Sequence, residues 1–147
     1  MGHIEATRQI PASADAVWAT IADPSTWERW FTVHDRWLDE PPATLTPGAK
    51  MAAKIVMLGM ANRIDWTVDS VEAPQRLAMS GEGMAGVKCS FTFTLEPAGD
   101  DAATFTVTGD FVGALVKGAL AKAVEKDGIK QLEKSLVQLS ELAGADA

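Results

Sequence analysis

The sequence predicts an α+β fold, a curved antiparallel sheet of roughly six or seven strands around one long C-terminal helix. Three observations carry that expectation. From Gly113 to Ala143 apolar residues recur three or four apart without a proline, the period of an amphipathic helix. Between Thr32 and Phe111 apolar and polar residues alternate in short runs cut by turn residues, the pattern of an antiparallel meander. Strands come first and the long helix last, an order that suits segregated layers rather than repeated βαβ units.

In chain order, His3 to Ile10 alternates, with Ile4, Ala6 and Ile10 on one side and His3, Glu5, Thr7 and Gln9 on the other. That is a half-buried first strand, ended by Pro11. Ser13 is a good N-cap and Asp15 puts negative charge in the first turn of a short helix. Val17, Trp18 and Ile21 mark its buried face, and Asp23-Pro24 breaks it. Ser25-Thr26-Trp27-Glu28 fits a capping box for a second short helix, with Trp27, Trp30 and Phe31 on its inner side.

Thr32 to Glu40 is the next expected strand, closed by Pro41-Pro42, and Thr46-Pro47-Gly48 carries the proline and glycine of a tight turn. Lys50 to Leu58 and Arg63 to Val71 follow, joined by a hairpin containing Gly59 and Asn62. The second of them points Ile64, Trp66 and Val68 inward, with Arg63 and Asp65 outward and paired across strands. Ala73-Pro74-Gln75 is a turn, Arg76 to Ser80 a short strand, and Gly81, Gly83 and Gly86 around Met84 predict a flexible tip. Lys88 to Leu95 sends Cys89, Phe91, Phe93 and Leu95 inward; Thr104 to Phe111 does the same with Phe105, Val107 and Phe111. The closing helix would span roughly 45 Å at its normal rise. Its end from Ile129 to Leu142 has a leucine stripe, its start to Val124 is small and alanine-rich, and Gly128 is a weak point between.

The 147 residues fit a single domain, 1–147, and a 47% apolar share can supply one core. No apolar run is long enough to span a bilayer, and the N-terminus lacks the apolar core of a signal peptide. With one cysteine, Cys89, and so no internal disulfide, the expected location is cytoplasmic. A net charge of −7 opposes binding to nucleic acid or anionic lipid. The row Lys122, Lys126, Lys130 and Lys134 reads as a solvated helix face, diluted by Glu125, Asp127, Glu133 and Glu141.

Ile10-Pro11-Ala12-Ser13 leading into Ala16-Val17-Trp18, and Ala22-Asp23-Pro24 leading to Trp27 and Trp30, resemble the SRPBCC superfamily. This superfamily is also called START-like, Bet v 1-like or polyketide cyclase/dehydrase-type. The likeness runs from Ile4 to Leu142 and implies a helix-grip fold with an apolar cavity between sheet and helix. It implies ligand binding or, in some members, cyclase or dehydratase chemistry. Three blocks are similar to an actinobacterial branch described as toxins of type II toxin–antitoxin pairs. They are Trp30-Phe31-Thr32-Val33-His34, Gly59-Met60-Ala61-Asn62-Arg63-Ile64-Asp65-Trp66, and Gly81-Glu82-Gly83 with Gly86-Val87-Lys88. That narrower resemblance implies a small antitoxin protein as partner and carries over no catalytic residues.

Chemistry-bearing residues are few. Two histidines and one cysteine stand far apart, so zinc-ligand spacing is absent. Gly81-Glu82-Gly83 lacks the helix and lysine of a phosphate loop, no nucleophile elbow exists, and there is no tyrosine to donate a proton. The expected cofactor and metal complement is none. His34 has two readings: it binds a ligand carbonyl or acts as a general base, or it is a strand histidine satisfied by backbone or water. Asp35 cannot orient it, because adjacent strand residues face opposite ways.

Trp66 is a ligand wall or plain core, Glu82 caps a cavity mouth or is a solvated turn carboxylate, and Cys89 is a small inward hydrophobe. Met51, Met57, Met60, Met79 and Met84 are adaptable wall or ordinary filler. The candidate ligand-binding set is His34, Trp30, Trp66, Met79, Glu82, Phe91, Phe93 and Phe105 from the first part of the chain. Val116, Ala119, Leu120 and Ala123 join it from the start of the long helix. The leading expectation is a binder of a small hydrophobic ligand. The alternatives are a toxin acting through protein interaction, and a cyclase or dehydratase, which needs an inward polar pair that alternation does not supply.

Overall fold

Each strand but the first pairs with its neighbours in sequence, and this builds one seven-stranded antiparallel sheet of order β1-β7-β6-β5-β4-β3-β2. The computed structural model describes residues 2–42, 44–57, 60–73, 75–83, 87–113 and 118–146. Its elements are β1 (Gly2–Ile10), α1 (Ala14–Ile21), a 3-10 turn (Pro24–Thr26), α2 (Trp27–Trp30) and β2 (His34–Trp37), followed by β3 (Lys50–Met57) and β4 (Met60–Glu72). Then come β5 (Arg76–Glu82), β6 (Lys88–Pro97), β7 (Ala103–Val112) and α3 (Gly118–Asp146). The sheet curls around α3, which packs on β1 and against the short helices: a helix-grip fold.

Alternation places the core as expected. Ile4, Ile10, Ile64, Trp66, Val68, Phe91, Phe93, Leu95, Phe105 and Val107 are all buried on the concave side. Ser13 caps α1, accepting the Ala16 N–H at 3.2 Å. The lysines at 122, 126, 130 and 134 are exposed, as a solvated face requires.

Several elements differ from the sequence reading. The strand expected over Thr32–Glu40 shrinks to β2, because its first residues serve α3 instead. The Thr32 N–H donates to Ser135 Oγ at 2.9 Å and the Thr32 hydroxyl to the Gln131 carbonyl at 2.8 Å. The capping box does not form. Asp23 caps the 3-10 turn through Ser25, and the Thr26 hydroxyl turns back to the Thr20 carbonyl at 2.7 Å.

Gly81 is not in a tip but inside β5, opposite Trp66 and Cys89. A Cβ there would stand 2.7 Å from Trp66 Cε3 and 2.8 Å from Ile64, so glycine is what lets the indole lie against the sheet. Asn62 is not a turn residue either: it pairs with Ile55, and the Met57–Met60 pairing makes the hairpin tighter than expected. Arg63 and Asp65 pair along one strand at 3.1 Å, not across strands. On α3 the buried stripe is Gly128, Leu132, Leu136, Leu139 and Ala143, while Ile129 is exposed. Leu58, Gly59, Pro74, Met84, Gly86 and Val116 lie outside the described residues, as do the side chains of Met57, Met60 and Leu120.

Candidate functional site

His34 opens β2, with its N–H bonded to the Phe31 carbonyl at 2.9 Å and its backbone paired with Ile55. Its side chain faces the core at 4% exposure, while Asp35 and Arg36 point to solvent. Trp27 meets the imidazole edge-on at 6.1 Å between centroids, and Trp37 covers it at 4.4 Å. Neither ring nitrogen has a hydrogen-bond partner among the described residues. Burial pulls the imidazole pKa down to about 4, against the opposing pull of Asp35. At neutral pH the ring is therefore uncharged and offers one donor and one acceptor.

A row of edge-to-face rings runs from there across the concave face. Trp27 touches Phe31 at 5.7 Å, Phe31 touches Phe91 at 5.5 Å, and Phe91 touches Trp66 at 5.7 Å. Trp30, Phe93 and Phe105 form a second cluster beside it, with Trp30–Phe93 at 5.7 Å and Phe93–Phe105 at 5.8 Å. Met79 lies between, paired across strands with Val68 and Phe91.

At the far end the Trp66 indole N–H is buried without a partner among the described residues. The tryptophans of the helical corner differ. Trp27 donates to the Ile21 carbonyl at 3.0 Å, Trp30 to the Thr26 hydroxyl at 3.1 Å and Trp37 to the Pro24 carbonyl at 2.9 Å. The other buried polar side chains, Thr20 and Ser135, are also bonded. His34 and Trp66 are thus the two unsatisfied polar positions on an otherwise apolar wall among the described residues.

Trp30, Trp66, Met79, Phe91, Phe93 and Phe105 are each at most 1% exposed, so the wall is closed to bulk solvent. Ala119 points to solvent and Ala123 is half-buried, so the two alanines do not share one environment. Glu82 is not at the mouth of the concave face. It is exposed on the outer face of the sheet, in register between Asp65 and Lys88, because the preceding Gly81 takes the inward position. The Cys89 thiol is buried and its pKa is pushed up to about 12 by that burial, so it is not a nucleophile at neutral pH.

Among the described residues no three His, Cys, Asp or Glu side chains converge as metal ligands, and no helix is long and apolar enough to cross a membrane. Sequence reasoning missed Trp27 and Phe31 as the bridge between His34 and Phe91. Their four-residue spacing on one helical face was the available signal.

Residues 1–144 match the family model described as polyketide cyclase / dehydrase and lipid transport. The uncharacterized protein Rv1546 of Mycobacterium tuberculosis is 29% identical over 144 residues, 98% of this chain and 100% of that one. A second protein of that organism, named Toxin Rv0910, is 26% identical over 97 residues, covering 66% of this chain and 67% of its own. The solved START superfamily protein from Mycobacterium smegmatis superposes with a TM-score of 0.78 at 17% identity, covering 97% of this chain and 99% of that one.

Proposed function

Because the chain belongs to the polyketide cyclase, dehydrase and lipid transport family, we propose that it binds a small hydrophobic molecule between its sheet and α3. One observation carries this reading: a 4% exposed imidazole with both nitrogens unpartnered, at the head of a row of aromatic rings. Leaving a buried polar group unpaired costs about 1–3 kcal/mol, and folded proteins rarely tolerate it without a water or ligand to complete the bond. An apolar wall with a few placed polar atoms is the usual make-up of a small-molecule site. Trp30, Trp66, Met79, Phe91, Phe93, Phe105 and Ala123 supply the apolar contacts in this reading, and His34 orients the guest.

Native mass spectrometry of the purified chain, alone and with the neutral fluorophore N-phenyl-1-naphthylamine, tests it. The expected result is one guest per chain and enhanced fluorescence. A bare-chain mass with no fluorescence change would sink the reading.

A second reading, action as a toxin through a protein partner, is supported by the name of the relative Toxin Rv0910. The exposed Ile129 and Val137 on the lysine-bearing side of α3 offer a contact surface for it. Growth arrest on expression, relieved by Ile129→Asp with Val137→Asp, is its expected signature. Arrest unaffected by that pair argues against this surface.

A further inference from the structure

We propose that the guest is an uncharged, elongated molecule. A hydroxyl- or carboxamide-type group is seated on His34, the apolar body lies along Trp27, Phe31 and Phe91, and an acceptor atom reaches Trp66. This rests on the binding reading above and narrows it to a chemical class.

The first ground is the electrical neutrality of the interior. Among the described residues the buried polar side chains are Thr20, His34 and Ser135, and no Lys, Arg, Asp or Glu is buried. An ionised head group entering there would lose its hydration and meet no counter-charge. The second ground is complementarity. Neutral imidazole offers one N–H and one bare nitrogen, so its best partner both donates and accepts, as a hydroxyl or a primary amide does. A carboxylate only accepts and leaves the bare nitrogen facing negative oxygen. A quaternary ammonium neither accepts the N–H nor donates to the nitrogen. The indole of Trp66 only donates, so the group beside it must accept.

The third ground is length. His34 pairs with Ile55 and Trp66 with Met51, on opposite sides of β3. Four residues along the strand and two strand spacings across put them roughly 16 Å apart, about the length of a dozen-carbon chain. The ring-to-ring contacts from Trp27 to Trp66 give that stretch a continuous apolar lining.

The test displaces N-phenyl-1-naphthylamine from the full chain at pH 8 with dodecan-1-ol, dodecanoate and dodecyltrimethylammonium, below their micelle concentrations. Wild type should be displaced by the alcohol at a concentration about tenfold or more below that of either ion, the least expected from an unpaired buried charge. His34→Phe, which keeps a ring and removes both polar atoms, should weaken the alcohol several-fold, and His34→Asn, which restores a donor and an acceptor, should recover part of it. Equal or tighter displacement by dodecanoate overturns the inference and leaves hydrophobic binding standing. An alcohol preference unchanged in His34→Phe overturns the seat at His34. If the fluorophore and all three chains fail to bind, the binding reading itself falls.

Discussion

Lowering the pH should destabilise this protein through His34, and the structure sets the size of the effect. In the unfolded chain the imidazole protonates near pH 6.5; folded, burial holds it to about 4. Stability is therefore fully present above about pH 6.5 and is lost as pH falls from there toward 4, because the unfolded state alone takes up the proton. Between pH 7.5 and pH 5 the loss is about 2 kcal/mol, worked from those two values by linkage. The other histidine has the opposite sign. Its hydrogen bond to Asp110 at 2.6 Å raises the His3 pKa, so its contribution is present at low pH and fades as pH rises through the folded value. It lies on the surface and is screened, so the buried residue dominates. Urea unfolding at pH 7.5 and pH 5, for wild type and His34→Phe, measures the difference. The variant should lose most of the pH dependence. A wild-type free energy flat across that interval, or a variant that still drops by the same amount, refutes the assignment of His34 as a buried neutral base.

Two further outcomes follow from packing. Gly81→Ala should destabilise by about 2 kcal/mol in urea, since its Cβ would sit 2.7 Å from the rigid Trp66 ring and 2.8 Å from Ile64 Cγ1 and Cδ1, of which only the Cδ1 end can swing aside; a change under about 0.5 kcal/mol would mean the indole moves freely. Amide hydrogen exchange should divide α3, with residues 131–143 protected about tenfold or more beyond 119–127. Buried Leu132, Ser135, Leu136 and Leu139 hold the later part, whereas the described side chains of 119–127 are at most half-buried. Uniform protection along the helix would count against two separately stable halves.

Most of the fold was legible because strand alternation has a two-residue period and survives any local detail. Ile64-Asp65-Trp66-Thr67-Val68 reads inward and outward without ambiguity, and so does Phe91 to Leu95. What failed were places where one residue had two competing partners. Thr32 looks like a strand threonine, but its amide and hydroxyl go to Ser135 and Gln131, a hundred residues away. Ser25 and Glu28 have capping-box spacing, yet the Ser25 N–H and hydroxyl both donate to Asp23 Oδ1, which caps the 3-10 turn and leaves α2 without a side-chain cap. Gly81 reads as a tip glycine because it has glycine neighbours, while its role is set by Trp66 on another strand. Glu82 belongs to the same extension: β5 runs two residues past the expected end at Ser80, so alternation turns Gly81 inward and leaves Glu82 exposed, as the solvated reading has it and the cavity-mouth reading does not.

The candidate site shows the same limit in sharper form, because its key property is a missing bond. Trp27, Trp30, Trp37 and Trp66 are the same residue type in similar apolar surroundings, and their spacing says nothing about their N–H groups. Three of them find a carbonyl or hydroxyl because the helical corner at Thr20–Thr26 exposes acceptors beside them. Trp66 sits mid-strand, where the backbone acceptors are already spent on the ladder with Met51 and Gly81. His34 opens β2, the edge strand two strands away, where Trp27 and Trp37 enclose its ring and no described residue bonds either nitrogen. A sheet interior consumes its own carbonyls, so a polar side chain placed there has nothing left to bond unless something enters. The proposed binding reading therefore rests on two inward positions, on β2 and β4, and on the aromatic row between them.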